Sequence, residues 1–283
     1  DILILGGGSG GYAAALRSVE LGFSVGLIEK GKLGGTCLHN GCIPTKALLH
    51  SAEIAENAKT AEKYGIKATF DSVDMNAVNS YKDNIIAGKF RGLQGLIKSK
   101  GITVIEGEGK LTSEKTIEVN GETYTGANII LATGSYSRSL PGLEIGGKVI
   151  TSDQALKMDT VPKSAIILGG GVIGVEFASV WNSFGVDVTI IEGLPSLVPN
   201  EDAAIIKQLE RAYKKRGIKF STGIFFDNVQ QNDDGVVVTL ADGKTYEADL
   251  MLVAVGRGPV TANLGYEEAG LTMDRGFVIT NER

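Results

Sequence analysis

The chain is poor in cysteine and histidine, with two of each in 283 residues, and it has no excess of positive charge. Two cysteines are too few to staple a secreted scaffold; they point to an intracellular compartment, where a cysteine pair serves catalysis or metal binding. A net charge of −5 gives no field for collecting phosphates along a nucleic acid, which excludes that partner. Long hydrophobic runs are also lacking. The longest, Leu250 to Val255, falls far short of the roughly 18 residues of a membrane span, so a soluble chain is expected. The first residue is Asp1 rather than methionine, which predicts that a segment upstream has been trimmed or not included and leaves the absence of a targeting peptide uninformative.

Glycine is abundant, at 39 residues, and its placement is informative. The apolar run Ile2 to Leu5 leads into Gly6-Gly7-Gly8-Ser9-Gly10-Gly11, then a helical stretch from Tyr12 to Leu21 and a second apolar run from Ser24 to Ile28 that ends at Glu29. Strand, glycine turn, helix, strand and acid is the fingerprint of a dinucleotide-binding βαβ unit. It returns as Ala165 to Leu168, Gly169 to Gly174, a helix through Phe184, and Asp187 to Ile191 ending at Glu192. First glycine, last glycine and acid are all displaced by the same 163 positions. Each copy closes with a hairpin, at Asn120-Gly121 or Asp242-Gly243, and a buried strand ending Ala132-Thr133-Gly134 or Ala254-Val255-Gly256. These pairs are 122 positions apart, so the first copy carries a net 41 extra residues, and Cys37 and Cys42 are expected inside them. The predicted fold is α/β, two tandem Rossmann-like dinucleotide-binding domains with parallel sheets and β-meander crossovers. The expected boundaries are 1–148 for the first domain with its inserted cysteine helix, 149–270 for the second, and 271–283 for a return to the first.

In each loop the first glycine allows the turn (Gly6, Gly169), the second lets the backbone approach a pyrophosphate (Gly8, Gly171), and the third lets helix and strand pack (Gly11, Gly174). The bland alternative is that these glycines serve packing alone. A carboxylate at Glu192 accepts from a ribose 2′-hydroxyl and repels a 2′-phosphate, which predicts NAD over NADP; Glu29 serves the first nucleotide likewise.

The cysteines stand in Gly34-Gly35-Thr36-Cys37-Leu38-His39-Asn40-Gly41-Cys42-Ile43-Pro44-Thr45-Lys46, ahead of a helix expected from Ala47 to Lys63. A helix N-terminus and Lys46 would favour a thiolate. Two inert buried thiols are the bland alternative. Zinc is another, with Cys37, His39, Cys42 and His50 as ligands, although C-x-H-x2-C-x7-H lacks the paired spacings of structural zinc sites. No metal is expected.

This segment resembles the redox segment of the flavin disulfide oxidoreductases, class I pyridine nucleotide-disulfide enzymes, and most closely that of the dihydrolipoamide dehydrogenases. Ala132-Thr133-Gly134-Ser135, Gly169 to Gly174 followed by Glu176, and Val255-Gly256-Arg257 extend the resemblance along the whole chain. It implies a redox-active disulfide between Cys37 and Cys42, with Lys46 near the flavin and paired with Glu176. It implies FAD on Gly6, Gly8, Gly11, Glu29, Lys30, Gly35, Thr36, Lys46, Gly109, Thr133, Gly134 and Ser135, and NAD on Gly169, Gly170, Gly171, Val172, Ile173, Gly174, Glu192, Phe226 and Gly256. A disulfide needs Cα atoms within about 4.4–6.8 Å, less than the ~7.5 Å rise of five helical residues, so the helix start must be distorted, with help from Gly41 and Pro44.

The implied activity is oxidation of dihydrolipoamide by NAD, with lipoyl groups of 2-oxo acid dehydrogenase complexes or the glycine cleavage system as partners. The implied location is cytoplasmic, or the mitochondrial matrix or plastid stroma in a eukaryote. The resemblance also predicts a homodimeric parent with chain beyond Arg283, whose partner subunit supplies a catalytic histidine; neither His39 nor His50 matches that motif. Two other readings stay open: an NADPH-linked reductase of a glutathione-like disulfide or mercuric ion, against which Glu192 argues, and a non-catalytic nucleotide-binding or redox-sensing fragment. Lys214-Lys215-Arg216 before Gly217 is expected to be a solvated helix end.

Overall fold

A computed structural model describes residues 1–282. Among the described residues the chain divides into two compact units, one of residues 1–43, 84–136 and 257–282, the other of residues 44–83 and 137–256.

In the first unit, strands β1 (Ile2–Leu5), β2 (Val25–Glu29), β3 (Thr103–Glu106) and β7 (Asn128–Leu131) form a parallel sheet ordered β3-β2-β1-β7. Helix α1 (Ser9–Glu20) makes the crossover from β1 to β2, and an antiparallel meander of β4 (Gly109–Ser113), β5 (Thr116–Val119) and β6 (Glu122–Thr125) precedes β7. The side chains alternate across the sheet as a period of two requires. Leu3, Leu5 and Ile28 join Leu111, Ile117 and Val119 of the meander, whereas Ile4, Val25 and Leu27 join Ala15, Ile97 and Ile102.

The second unit repeats this plan. Strands β10 (Ser164–Leu168), β11 (Asp187–Glu192), β12 (Lys219–Thr222), β16 (Leu250–Val253) and β9 (Val149–Thr151) form a parallel sheet ordered β12-β11-β10-β16-β9. Helix α6 (Val172–Ser183) is the crossover, and α7 (Ala203–Lys215) precedes β12. The meander is β13 (Phe226–Gln231), β14 (Val236–Leu240) and β15 (Thr245–Ala248). Ala165, Ile167 and Ile190 pack with Phe177 and Trp181 of α6, while Ile166, Leu168 and Ile191 pack with Val236, Val238 and Leu240 of the meander. Such two-sided burial is why these strands read as continuous apolar runs.

The register repeats with the sequence offsets. Ile2 faces Val25 and Asn128 as Ala165 faces Val188 and Leu250. The extra chain of the first copy lies between its second and third strands: 77 positions separate Gly26 from its partner Thr103, against 30 from Thr189 to Lys219. That excess of 47 is partly offset after the third strand, where Thr103 to Asn128 is 25 positions and Lys219 to Leu250 is 31.

Both hairpins form where expected: Asn120 and Gly121, with φ of 52° and 84°, join β5 to β6, and Asp242-Gly243 lies in the connection from Ala241 to Lys244 between β14 and β15. One local expectation is corrected. The helix expected from Ala47 begins five residues earlier, as α3 (Cys42–Thr60). Pro44 falls in its first turn, where no backbone N–H is needed, so the proline admits the helix.

Candidate nucleotide and redox sites

The two glycine loops are near copies. Gly6 and Gly169 both take φ 106°, and a Cβ there would lie 2.1 Å from Ala132 O and 2.4 Å from Ala254 O. A Cβ on Gly11 or Gly174 would lie 1.8 or 1.9 Å from the carbonyl oxygen of Gly6 or Gly169, so helix and strand meet closely only without side chains. Gly8 and Gly171 differ. They are the N-caps of α1 and α6, at φ −71° in both cases, which any residue adopts. A Cβ on Gly8 would make one ordinary contact, at 3.8 Å from Gly35 Cα, and one on Gly171 would meet nothing within 4 Å. Neither position needs glycine for the protein's own sake. No side chain caps either helix and no acid lies in either first turn, so each N-terminus offers N–H groups and positive dipole to an anion. This fits the pyrophosphate of a dinucleotide.

The two acids are clasped in the same way. Gly7 N–H donates to Glu29 Oε2 at 2.7 Å and Gly31 N–H to Oε1 at 2.7 Å; Gly170 N–H donates to Glu192 Oε2 at 2.5 Å and Leu194 N–H to Oε1 at 2.7 Å. Each carboxylate thus holds its own glycine loop and keeps one lone-pair direction per oxygen for a ligand. The carbonyls of the same glycines accept from Gly34 N–H and Val198 N–H, both at 2.8 Å. Gly34 takes φ 103° and Val198 takes φ 40°. A β-branched residue held there carries about 1–3 kcal/mol of backbone strain. Spacing alone did not disclose this clasp, because its donors are backbone groups.

In front of the second loop lies a cleft of about 470 Å³. Gly169, Gly171, Val172, Ile173, Glu192, Phe226 and Gly256 line it; Gly170 and Gly174 do not. Sequence reasoning missed Leu140, Asn200, Glu201 and Phe225 on its walls, which belong to no glycine motif. Among the described residues, no lysine or arginine lines the cleft. In the first unit a smaller notch of about 60 Å³ is lined by Gly6, Glu29, Lys30, Gly109 and Thr133, with Lys30 Nζ 2.9 Å from Glu108 Oε1. Gly8, Gly11, Gly35, Thr36, Gly134 and Ser135 lie outside it. Gly35 packs on the loop, since its Cβ would lie 2.7 Å from Gly8 Cα.

Thr133 Oγ1 donates to Val260 O at 2.6 Å and lies 2.9 Å from Tyr266 Oη, whose phenol is pushed above its ordinary range by burial, against the hydrogen bond with Thr133. Arg257 donates from Nε to Ser135 Oγ at 2.8 Å and from Nη2 to Ser135 O at 2.7 Å. The Ala132-Thr133-Gly134-Ser135 segment is therefore anchored by residues more than 120 positions away.

Cys37 is half-buried in the short helix α2 (Gly35–His39), and Cys42 is exposed as the first residue of α3. Asn40 and Gly41 break the helix between them. A Cβ on Gly41 would lie 2.9 Å from Thr36 O and 3.4 Å from Cys37 Cα, so the glycine lets the chain fold back on the Cys37 turn. One turn along α3, Lys46 Nζ donates to Glu176 Oε1 at 2.5 Å. Glu176 is the fifth residue of α6, beyond the first turn in which a dipole role would place it. Neither histidine faces the cysteines as a metal ligand: His39 Nε2 lies 2.9 Å from Leu33 O with its ring edge-on to Phe90, and His50 pairs with Glu53 at 3.2 Å. Among the described residues no cluster of three His, Cys, Asp or Glu forms.

The solvated helix end expected at Lys214-Lys215-Arg216 is corrected in part. Arg216 caps α7, and its guanidinium reaches the end of α6, donating to Ser179 Oγ at 2.8 Å, Ser179 O at 3.0 Å and Ser183 Oγ at 2.9 Å. Tyr213 Oη donates to Val175 O at 2.6 Å, and burial pushes its phenol up to about 12.

Comparison with known proteins agrees with this geometry. A dihydrolipoyl dehydrogenase of Bacillus subtilis is 41% identical over the whole chain, which spans 64% of that relative's length. Among solved structures, LpdA from Mycobacterium tuberculosis superposes on 97% of the chain with a TM-score of 0.87 at 29% identity. The HOCl-induced flavoprotein disulfide reductase RclA from Escherichia coli superposes on 99% with a TM-score of 0.85 at 27% identity. The chain spans 62% of each of those two proteins. The sequence profile of the pyridine nucleotide-disulphide oxidoreductases matches residues 1–283. The chain belongs to the pyridine nucleotide-disulphide oxidoreductase family.

Proposed function

We propose that this chain is the nucleotide-binding and redox part of a dihydrolipoyl dehydrogenase, with FAD on the first unit, NAD on the second, and Cys37 and Cys42 as the dithiol–disulfide pair. The observation that carries the reading is the doubled loop whose middle glycines, Gly8 and Gly171, are required by nothing in the protein. When bound, FAD supplies a two-electron carrier between the sulfur pair and the nicotinamide. On this reading residues 1–148 and 149–270 are the functional domains and 271–283 a return to the first, bounds that differ from those of the two compact units. The roles given to Lys46, Glu176 and the glycine-loop residues follow from it.

The chain's own part is positioning and electrostatics. A substrate thiolate attacks Cys37 Sγ of the disulfide, the Cys37–Cys42 bond breaks, and Cys42 leaves as a thiolate. The second substrate thiol, losing its proton, attacks the mixed disulfide; a lipoyl disulfide leaves and Cys37 is left reduced. Cys42, at the first position of α3, is placed where the helix dipole favours the thiolate. Lys46 adds positive charge one turn on, and Glu176 fixes its ammonium. In the cleft, two carboxylates, Glu192 and Glu201, and the lack of a basic residue favour NAD over NADP. Lipoyl-bearing complexes, a homodimeric parent and a cytoplasmic or organellar location complete the proposal. No helix among the described residues is long and apolar enough to cross a membrane.

Anaerobic spectroscopy tests the reading. A yellow protein bleached by NADH but not by NADPH is expected. Replacement of Cys37 or Cys42 by serine should abolish dihydrolipoamide oxidation and leave bleaching by NADH intact. Bleaching by NADPH alone, or lipoamide turnover that survives loss of either cysteine, would overturn it.

A further inference from the structure

We infer that Phe225, seated on Gly193, is an aromatic platform for the purine base of the nucleotide in the second cleft. The inference rests on the NAD reading and deepens it. Phe225 is a large apolar side chain left 66% exposed, and it lines the cleft beside Glu192 and Gly193. Its ring lies on the Gly193 backbone: a Cβ at Gly193 would be 2.4 Å from Phe225 Cε1 and 3.1 Å from Cζ. Only glycine admits the ring there.

The surrounding backbone holds the platform in place. Gly223 N–H donates to Leu194 O at 2.7 Å, Ile224 N–H to Glu192 O at 3.2 Å, and Ala241 N–H to Phe225 O at 3.0 Å. Along the cleft, the glycine loop takes the pyrophosphate and Glu192 stands at the ribose, so the next group outward is the base. The Phe225 ring meets Gly193 on one side and the residue stays 66% exposed, which leaves aromatic hydrocarbon surface of the kind on which a purine stacks. The first unit lacks this arrangement, since the residue after Glu29 is Lys30, which pairs with Glu108.

Calorimetric titration of AMP, NADH and nicotinamide mononucleotide into the wild-type chain, F225A, F225W and G193A tests the assignment. F225A should weaken AMP and NADH about tenfold, the order of one base–aromatic stack, and leave nicotinamide mononucleotide unchanged. F225W should retain AMP affinity, and AMP should quench its exposed indole; Trp181 is buried. G193A should weaken AMP although Phe225 remains, because the ring is displaced. Unchanged AMP and NADH affinity in F225A would refute the platform and leave the NAD reading standing. Equal losses for AMP and the mononucleotide in F225A would refute it as general damage to the cleft. Failure of the wild-type chain to bind either AMP or NADH would remove the NAD reading, and the platform with it.

Discussion

Substituting two glycines three positions apart, Gly171→Ser and Gly174→Ala, should separate ligand binding from folding. A Cβ on Gly174 would lie 1.9 Å from Gly169 O and 3.2 Å from Ile167 Cγ2. No side-chain rotation relieves an overlap with a backbone carbonyl, so α6 has to move off β10, whose residues Ile166, Ile167 and Leu168 are almost fully buried. Overpacking of this kind costs about 1–3 kcal/mol. The helix propensity gained from alanine returns at most about 1 kcal/mol. A loss of about 1–2 kcal/mol lowers Tm by roughly 2–8 °C in a domain of 150–250 residues. At Gly171 a Cβ meets nothing within 4 Å, and the N-cap conformation suits serine. G171S should therefore melt at or slightly above the wild-type temperature while binding NADH at least tenfold more weakly, because the new side chain occupies the space where a pyrophosphate approaches. Differential scanning fluorimetry with NADH titration reads both quantities. Wild-type NADH affinity in G171S would refute the inference that Gly171 is reserved for a ligand, and wild-type stability in G174A would refute the packing argument.

Replacing Arg216 by alanine removes three donors from Ser179 and Ser183, and urea unfolding should show a loss of about 1–3 kcal/mol. Tyr213, with its phenol raised from 10.0 to about 12, holds its proton longer folded than unfolded. Its contribution is fully present below pH 10 and is lost as pH rises towards 12, so urea midpoints should fall over that window, and Tyr213→Phe should flatten the fall. Tyr213→Phe should also cost about 1 kcal/mol at neutral pH through the hydrogen bond to Val175 O. Glu176→Gln should slow reduction of the bound flavin by NADH and make it more dependent on ionic strength, by leaving the Lys46 ammonium without its carboxylate; unchanged stopped-flow rates would argue against a positioning role for the pair.

The doubled βαβ plan, the parallel order of the strands and the positions of Glu29 and Glu192 were legible in the sequence because each signal is local. Apolar alternation, glycine spacing and the distance from turn to acid are all set within about 25 residues, where the geometry of strand, turn and helix leaves little freedom. The inserted cysteine segment was legible only as a mismatch of offsets and through its resemblance to known redox segments; that the chain breaks at Asn40-Gly41 into two helices required the close approach of Thr36 and Cys37. Contacts between distant parts of the chain were decided by tertiary structure. Arg216 reaches Ser179 across 37 positions, Tyr266 and Thr133 meet across 133, and Phe225 settles on Gly193 across 32. No periodicity encodes such pairs, because the groups that meet are set by how sheet, helix and meander pack. The clasp on Glu192 escapes sequence reading for a second reason: its donors are the backbone N–H groups of Gly170 and Leu194, which nearly every residue carries and only the folded path of the chain aims at one carboxylate.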